Sequence, residues 1–167
     1  MNPGTEGGGS KTMIGNNYLF MISSHIAHDC KIGNNVIIAN NVPLGGHVTI
    51  EDSVVIGGNS AVQQFTRIGR LAMIGGMTGV LNDVIPFSLS IGNRNYLQGL
   101  NLIGLKRKGL DNNKIHTLNK FIEIIFDKSD SIESNLNKAK NEIKKFEEVE
   151  DIISFLEKTN KRGLVTL

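Results

Sequence analysis

Apolar residues recur at every sixth position through the first half of the chain. The run continues without a break through Ile14, Phe20, Ile26, Ile32, Ile38, Leu44, Ile50, Ile56, Val62, Ile68, Ile74 and Val80. This period differs from the period of two in a strand and 3.6 in a helix. A six-residue repeat is typical of a parallel β-helix in which each coil has three faces, one repeat to a face. We therefore predict a β solenoid over residues 12–89, with the aliphatic side chains inside.

Small and turn-forming residues support this interpretation. Glycine or alanine often follows the apolar residue, and asparagine pairs such as Asn34 and Asn35 tolerate the left-handed backbone needed where a coil turns a corner. The stretch before the repeat, residues 1–11, offers no cap for the first coil. Residues 4–12 nearly match a phosphate-binding loop but miss its spacing by one residue, so we interpret them as a flexible surface loop.

The period becomes helical after Asp111, a predicted N-cap. Three apolar stripes predict three packed helices: Ile115, Leu118, Phe121, Ile122 and Ile125; Ile132, Leu136, Ala139, Ile143 and Phe146; and Val149, Ile152, Ile153 and Leu156. We therefore expect two units, a β-helix in residues 1–110 and a small C-terminal helical domain in residues 111–167. Eighteen of the 19 glycines lie in the first unit and 21 of the 34 charged residues in the second, which fits coil corners and solvated helices.

Charge and cysteine content exclude several classes of protein. The net charge of +2 is too small to indicate nucleic-acid binding, and the single cysteine, Cys30, excludes an internal disulfide. No apolar run approaches the roughly 18 residues of a membrane span, and the amino terminus does not resemble a signal peptide. We expect a cytoplasmic protein without stable membrane insertion.

Three histidines lie in the repeat and indicate catalytic chemistry. With three repeats per coil, His28 lies under Gly46 and beside His47, with Gln64 one coil further. Asp29 is placed to orient His28. A histidine with an acidic partner near a glycine amide suits acyl transfer, because the imidazole takes a hydroxyl proton and the N–H group stabilises an oxyanion. Structural hydrogen bonding by these histidines, or zinc binding by His25, His28 and His47, are alternatives; we expect neither a metal nor a cofactor.

A short basic cluster lies between the two units. Lys106, Arg107 and Lys108 are candidates for binding a phosphate or an acidic carrier protein, with a solvated turn as the alternative.

Several motifs together resemble the acyl-[acyl-carrier-protein] UDP-N-acetylglucosamine O-acyltransferases, which begin lipid A synthesis. The motifs are His25 to Cys30, Ala39 to Asn41, Gly45 to His47, Ala61 to Phe65, Ile91 to Asn93 and Asn101 to Arg107. The resemblance implies a homotrimer of left-handed parallel β-helices, with active sites between neighbouring subunits. It also implies transfer of an (R)-3-hydroxyacyl group from acyl carrier protein to the sugar 3-hydroxyl of UDP-N-acetylglucosamine.

The resemblance also implies a role for each matching residue. His28 is the general base, Asp29 its partner and Gly46 the backbone donor to the thioester oxygen. Substrate-binding roles fall to His25, His47, Gln64, Asn101 and Arg107, and Gly76 sets the acyl length. Lys106, Arg107 and Lys108 attract the carrier protein.

Two departures from the family pattern leave alternatives open. Position 63 is glutamine where the family commonly has histidine, and the amino-terminal coils found in family members are absent from this sequence. A non-catalytic remnant that trimerises or binds carrier protein is therefore an alternative to an active enzyme. A related N-acyltransferase is another, because the same base serves an amine acceptor.

Overall fold

The computed structural model describes residues 1–158 and 161–165 and contains a coiled β region followed by helices. Twelve two-residue strands in the described chain form the coils: β1 (Met13–Ile14), β2 (Leu19–Phe20), β3 (His25–Ile26), β4 (Lys31–Ile32), β5 (Ile37–Ile38), β6 (Pro43–Leu44), β7 (Thr49–Ile50), β8 (Val55–Ile56), β9 (Ala61–Val62), β10 (Arg67–Ile68), β11 (Met73–Ile74) and β12 (Gly79–Val80).

The strands stack into three parallel sheets, and neighbouring strands in each sheet come from every third repeat of the sequence. The orders are β1-β4-β7-β10, β2-β5-β8-β11 and β3-β6-β9-β12. Ile14 pairs with Ile32, and Ile32 pairs with Ile50. The predicted parallel β-helix with three repeats per coil is confirmed.

Three edges separate the sheets, and each edge is a column of two-residue turns. We call residues 28–29, 46–47 and 64–65 the histidine edge; residues 16–17, 34–35, 52–53 and 70–71 the asparagine edge; and residues 22–23, 40–41, 58–59 and 76–77 the glycine edge. The second residue of every turn has a φ between 55° and 67°. From the second turn of each edge onward, its amide donates to the first turn residue of the preceding coil, as His47 does to the carbonyl of His28.

The coil interior contains two columns of inward side chains. The predicted column is buried from Ile26 onward, with Ile38, Ile56 and Ile74 fully inaccessible, whereas Ile14 and Phe20 in the first coil are partly exposed. A second column, which the sequence analysis missed, lies two residues earlier in each repeat and contains Cys30, Val36, Val42, Val48, Val54, Ser60, Thr66, Ala72, Thr78 and Val84. Two inward residues per short face fill the narrow prism, which explains how strands of two residues enclose a continuous core.

An antiparallel hairpin and a short helix follow the coils. Strands β13 (Ser88–Ile91) and β14 (Tyr96–Leu100) pair with each other, and β13 continues the sheet of β11 in parallel. Helix α1 (Leu102–Arg107) comes next, with Asn101 as its N-cap. None of these three elements was predicted from the sequence.

Three further helices complete the described chain: α2 (Asn112–Ile125), α3 (Ile132–Glu142) and α4 (Glu147–Glu157). The predicted N-cap is confirmed, because the Asp111 side chain accepts a hydrogen bond from the Lys114 amide. The second stripe was assigned too far along the chain, because α3 ends at Glu142 and Phe146 is the N-cap of α4. None of these helices within the described residues is long and apolar enough to span a membrane.

The apolar side chains form two clusters. One fills the coils from Ile26 to Val84, and the other joins the helices to Ile85, Phe87 and the hairpin. The hairpin and α1 therefore pack with the helices. The division after residue 110 stays a prediction.

A partly buried ion pair connects the two clusters. Arg67 Nε lies 2.7 Å from Asp83 Oδ2, and the guanidinium stacks on the ring of Phe155 in α4. The Arg67 Nη1 group also donates to the Phe155 carbonyl. These contacts fix α4 against the last coil.

Candidate active site

The histidine edge brings His28 and Asp29 into direct contact. His28 Nδ1 lies 2.9 Å from Asp29 Oδ2, with the His28 side chain 39% exposed and the Asp29 side chain only 3% exposed. An ionised carboxylate only accepts hydrogen bonds, so the proton of the neutral imidazole belongs on Nδ1. The lone pair is then on Nε2, on the opposite side of the ring, which is the arrangement a general base requires.

Gly46 lies against the His28 ring. A Cβ atom added at Gly46 would be 2.6 Å from His28 Cε1 and 2.7 Å from Nε2, which is too close for any side chain. Among the described residues, the Gly46 amide has no hydrogen-bond acceptor, whereas its neighbour His47 donates to the His28 carbonyl. Gly46 therefore leaves space for the His28 ring and has a backbone donor beside it.

The Gly-rich loop covers Asp29, a contact that was not predicted for a flexible surface loop. Thr5 Oγ1 donates to Asp29 Oδ2 at 2.6 Å, and the Thr5 amide lies 3.1 Å from both carboxylate oxygens. Asn2 donates to the Ile26 carbonyl, so the start of the chain pairs with β3. Residues 2–12 thus form part of the wall of the site.

These contacts lower the pKa of Asp29 further below its ordinary value. The hydrogen bond from the Thr5 hydroxyl is the largest cause that lowers the pKa of Asp29 to about 2, with smaller contributions from His28 and the Thr5 amide. Desolvation acts in the opposite direction. Asp29 is therefore ionised at neutral pH and holds His28 in the Nδ1–H form.

A stack of rings extends from His28 along the same edge. The His28 and His47 rings meet edge-on with centroids 5.1 Å apart, and His47 stacks on Phe65 at 4.6 Å with an interplanar angle of 8°. Lys161 Nζ lies 4.3 Å from the centroid of the Phe65 ring. The stack restricts the orientation of His47 next to His28.

The C-terminal segment pairs with the backbone of Asp83 and reaches this edge through the Arg162 side chain. Gly163 accepts from the Asp83 amide, Val165 donates to the Asp83 carbonyl, and Arg162 Nε donates to the Gln64 carbonyl at 2.9 Å. Phe65, Thr5 and this segment were missed by the sequence analysis. Phe65 could have been predicted to lie above His47, because it is one coil of 18 residues further along the chain. Thr5 and the C-terminal segment lie outside the repeat, so no periodicity predicts their contacts.

The remaining predicted residues lie at different distances from His28, some on or next to the histidine edge and one on another edge. His25 is exposed on β3, on the face that leads to the histidine edge, and Gln64 is exposed on that edge. Gly76 lies on the glycine edge. One chain therefore does not bring Gly76 together with His28.

Asn101, Arg107 and Lys108 line a groove of about 510 Å³ on the face between the asparagine and glycine edges. The Asn101 side chain is engaged at both ends, because Oδ1 accepts from the Gly104 amide and Nδ2 donates to the Leu71 carbonyl. Lys106, Arg107 and Lys108 are exposed at the end of α1. The groove lies on a different side of the coil from the histidine edge.

One group of side chains in the described part of the chain has the proximity needed to hold a metal ion. Ligand atoms of His28, Asp29 and His47 lie within 4.8 Å of one another, and His25 is not in this group. Metal binding there would compete with the Thr5–Asp29–His28 hydrogen bonds. The geometry thus differs from the three-histidine zinc site considered from the sequence.

Two family models match the sequence. The model described as Udp N-acetylglucosamine O-acyltransferase, domain 2, matches residues 83–165. The model described as bacterial transferase hexapeptide matches residues 11–46.

Curated relatives match nearly the whole chain. The acyl-[acyl-carrier-protein]--UDP-N-acetylglucosamine O-acyltransferase of Rhizobium etli is 44% identical over 98% of this chain and 60% of its own length. The protein of the same name from Paracoccus denitrificans is 57% identical over 71% of this chain and 45% of its own length. The chain thus spans less than two thirds of the length of these relatives.

Solved structures agree with the sequence relatives. LpxA from Acinetobacter baumannii is 38% identical, with a TM-score of 0.93 over 98% of this chain and 63% of that one. The UDP-N-acetylglucosamine acyltransferase from Campylobacter jejuni is 36% identical, with a TM-score of 0.88 over 98% of this chain and 64% of that one. The coils and the C-terminal helices both take part in these matches.

Proposed function

The chain belongs to the UDP-N-acetylglucosamine O-acyltransferase family, and we propose that it carries the catalytic centre for acyl transfer from acyl carrier protein to UDP-N-acetylglucosamine. The observation that supports this most directly is the His28–Asp29 pair against the Gly46 backbone. The transferred group is an (R)-3-hydroxyacyl chain and the acceptor is the sugar 3-hydroxyl, as the resemblance implies.

The reaction uses His28 as both base and acid. Nε2 takes the proton of the sugar hydroxyl while the hydroxyl oxygen attacks the thioester carbonyl. The Gly46 amide donates to the oxyanion of the tetrahedral intermediate. As the carbon–sulfur bond breaks, the protonated imidazole gives its proton to the departing thiolate, which restores the neutral base.

Asp29 orients the ring and stabilises the imidazolium that forms during the reaction. Its low pKa keeps it ionised while His28 changes protonation state. No step in this mechanism requires a metal or an organic cofactor.

A homotrimer places the separated residues in one site. His28 and Gln64 lie on the histidine edge, whereas Gly76 and Arg107 lie on other sides of the same coil. We propose that each site uses the histidine edge of one subunit and the Asn101–Arg107 groove of its neighbour. In this arrangement Lys106, Arg107 and Lys108 receive the acidic carrier protein beside the site.

The proposal is tested by product formation with a 3-hydroxyacyl carrier protein and UDP-N-acetylglucosamine. We expect His28→Ala to lower kcat by about 100- to 10,000-fold, because it removes the general base. His116→Ala, an exposed histidine on α2, is the matched control and should leave kcat unchanged. A folded chain without turnover would favour the non-catalytic alternative, and an amide-linked product would favour an N-acyltransferase.

Mixed assemblies test the shared site. His28→Ala and Arg107→Ala chains should each have low activity alone, but mixing them before assembly should restore about a quarter of the sites if neighbours contribute the two residues. Activity that stays low after mixing would contradict a site shared between subunits.

A further inference from the structure

The Gly-rich loop contacts the catalytic carboxylate and has no role in the mechanism above. Its Thr5 side chain donates the shortest hydrogen bond that Asp29 receives, 2.6 Å from Oγ1 to Oδ2. The same carboxylate oxygen lies 2.9 Å from His28 Nδ1. Thr5, Asp29 and His28 therefore form a continuous chain of hydrogen bonds from the loop to the base.

The loop is held in place on both sides of Asp29. Thr12 Oγ1 accepts from the Asp29 amide at 3.0 Å and donates to the Asn2 carbonyl at 2.8 Å. A Cβ atom at Gly8 would lie 2.2 Å from Asp29 Oδ2, so the loop backbone passes directly over the carboxylate. The loop thus encloses Asp29 from the outside of the coil.

The Asp29 carboxylate needs a hydrogen-bond donor because its side chain is almost completely buried on a turn of fixed backbone conformation. Its φ of 59° lies in the left-handed region, and its side chain is only 3% exposed. A buried carboxylate without donors has a raised pKa and loses its charge. The Thr5 hydroxyl supplies the donor that opposes this effect.

We propose that Thr5 is a positioning residue for acyl transfer. It fixes the Asp29 carboxylate in its ionised form and in the rotamer that contacts His28 Nδ1. This inference rests on the proposed function of His28 as general base. The Gly-rich loop is accordingly part of the catalytic apparatus, with a role distinct from phosphate binding.

The test compares Thr5→Val with Thr5→Ser. Valine keeps the shape and the backbone amide but removes the hydroxyl, whereas serine keeps the hydroxyl. We expect Thr5→Val to lower kcat by about 10-fold with little change in KM, the size expected when one hydrogen bond to a charged group is lost. Thr5→Ser should restore most of the activity, and Thr117→Val, at a partly exposed threonine on α2, should match the unmodified chain.

A second measurement needs no turnover. The carboxyl carbon of Asp29, followed by NMR during acid titration, should report a pKa of about 2 in the unmodified chain and in Thr5→Ser. The pKa should rise in Thr5→Val. An unchanged Asp29 pKa in Thr5→Val, or equal kcat losses in the valine and serine variants, would overturn the assignment. If the unmodified chain shows no turnover, the proposed function fails while the titration still decides the role of Thr5.

Discussion

The histidine edge and the asparagine edge share one backbone conformation but differ in their side chains. His47 and Asn35 have φ values of 60° and 55°, and each amide donates to the turn residue of the coil below. On the asparagine edge, side chains connect the coils: Asn34 Oδ1 accepts from the Asn16 amide, and Asp52 Oδ1 accepts from the Asn34 amide. On the histidine edge the side chains of Asp29 and His47 contact His28 instead.

The difference shows where this fold places its chemistry. Asparagine tolerates a left-handed backbone well, whereas a bulky residue such as Phe65, with a φ of 67°, is unusual there. Leu71 on the asparagine edge has a φ of 55° as well, so the two edges differ in what their side chains contact and not in backbone strain. Four predictions probe this contrast.

The largest loss of activity should come from a methyl group added at Gly46, and the same change at the equivalent turn position of another edge serves as its control. Gly46→Ala places Cβ 2.6 Å from the His28 ring and should displace the base, lowering kcat by about 100-fold. Gly58→Ala on the glycine edge is the control, because its Cβ would lie 3.4 Å from the Asn40 carbonyl oxygen, a contact that a small shift relieves. Steady-state kinetics on both variants measures the difference, and equal losses would remove the contrast between the edges.

The second prediction separates activity from stability at one position. His47→Asn introduces a residue that prefers the left-handed φ of 60° but removes the ring that contacts His28. We expect activity to fall by about 10-fold while the free energy of unfolding stays within roughly 0.5 kcal/mol. Chemical denaturation and kinetics on the same preparation would show this, and a parallel loss of both quantities would contradict it.

The third prediction concerns stability in acid. The pKa of Asp29 is lowered from 3.8 to about 2, so its stabilising effect is complete above its unfolded pKa and is lost as pH falls through about 2. Asp29→Asn should therefore flatten the fall in stability between these two values. Asn41→Ala on the glycine edge should instead cost about 1 kcal/mol at every pH, because it removes a residue suited to a φ of 59° without changing a titrating group. A profile for Asp29→Asn that still falls in parallel with that of the unmodified chain would contradict the assignment.

The smallest effect should come from the outer end of the ring stack. Lys161→Met removes the ammonium group over Phe65 and should reduce the free energy of unfolding by about 0.5 kcal/mol, as expected for an exposed cation–π contact. A double-mutant cycle with Phe65→Leu isolates this contact from other effects of the lysine. Additive losses would show that the two side chains do not interact.

The regular part of the molecule was predictable because its geometry is strict. A coil of constant length determines which residues stack, so the sequence places His28 beside Gly46 and His47 without further information. Helices α2, α3 and α4 were predicted from their apolar stripes, apart from the break before Phe146, whereas α1 was not predicted.

The contacts that were not predicted involve segments outside the six-residue repeat. Thr5 reaches Asp29 from a loop whose conformation depends on its own backbone hydrogen bonds. Arg162 in the C-terminal segment contacts Gln64 although the two are 98 residues apart in sequence, and its position depends on how the helices pack. The second inward column could have been predicted from the sequence, because Val36, Val42, Val48 and Val54 also recur at every sixth position.

The proton position on His28 tests the central claim most directly. The imidazole of the folded chain, labelled with ¹⁵N and measured by NMR at a pH where it is neutral, distinguishes the two tautomers. The contact with ionised Asp29 predicts a proton on Nδ1 and a bare Nε2 that is ready to accept the hydroxyl proton. A neutral ring protonated on Nε2 would contradict the account, because His28 would then have no lone pair facing the substrate.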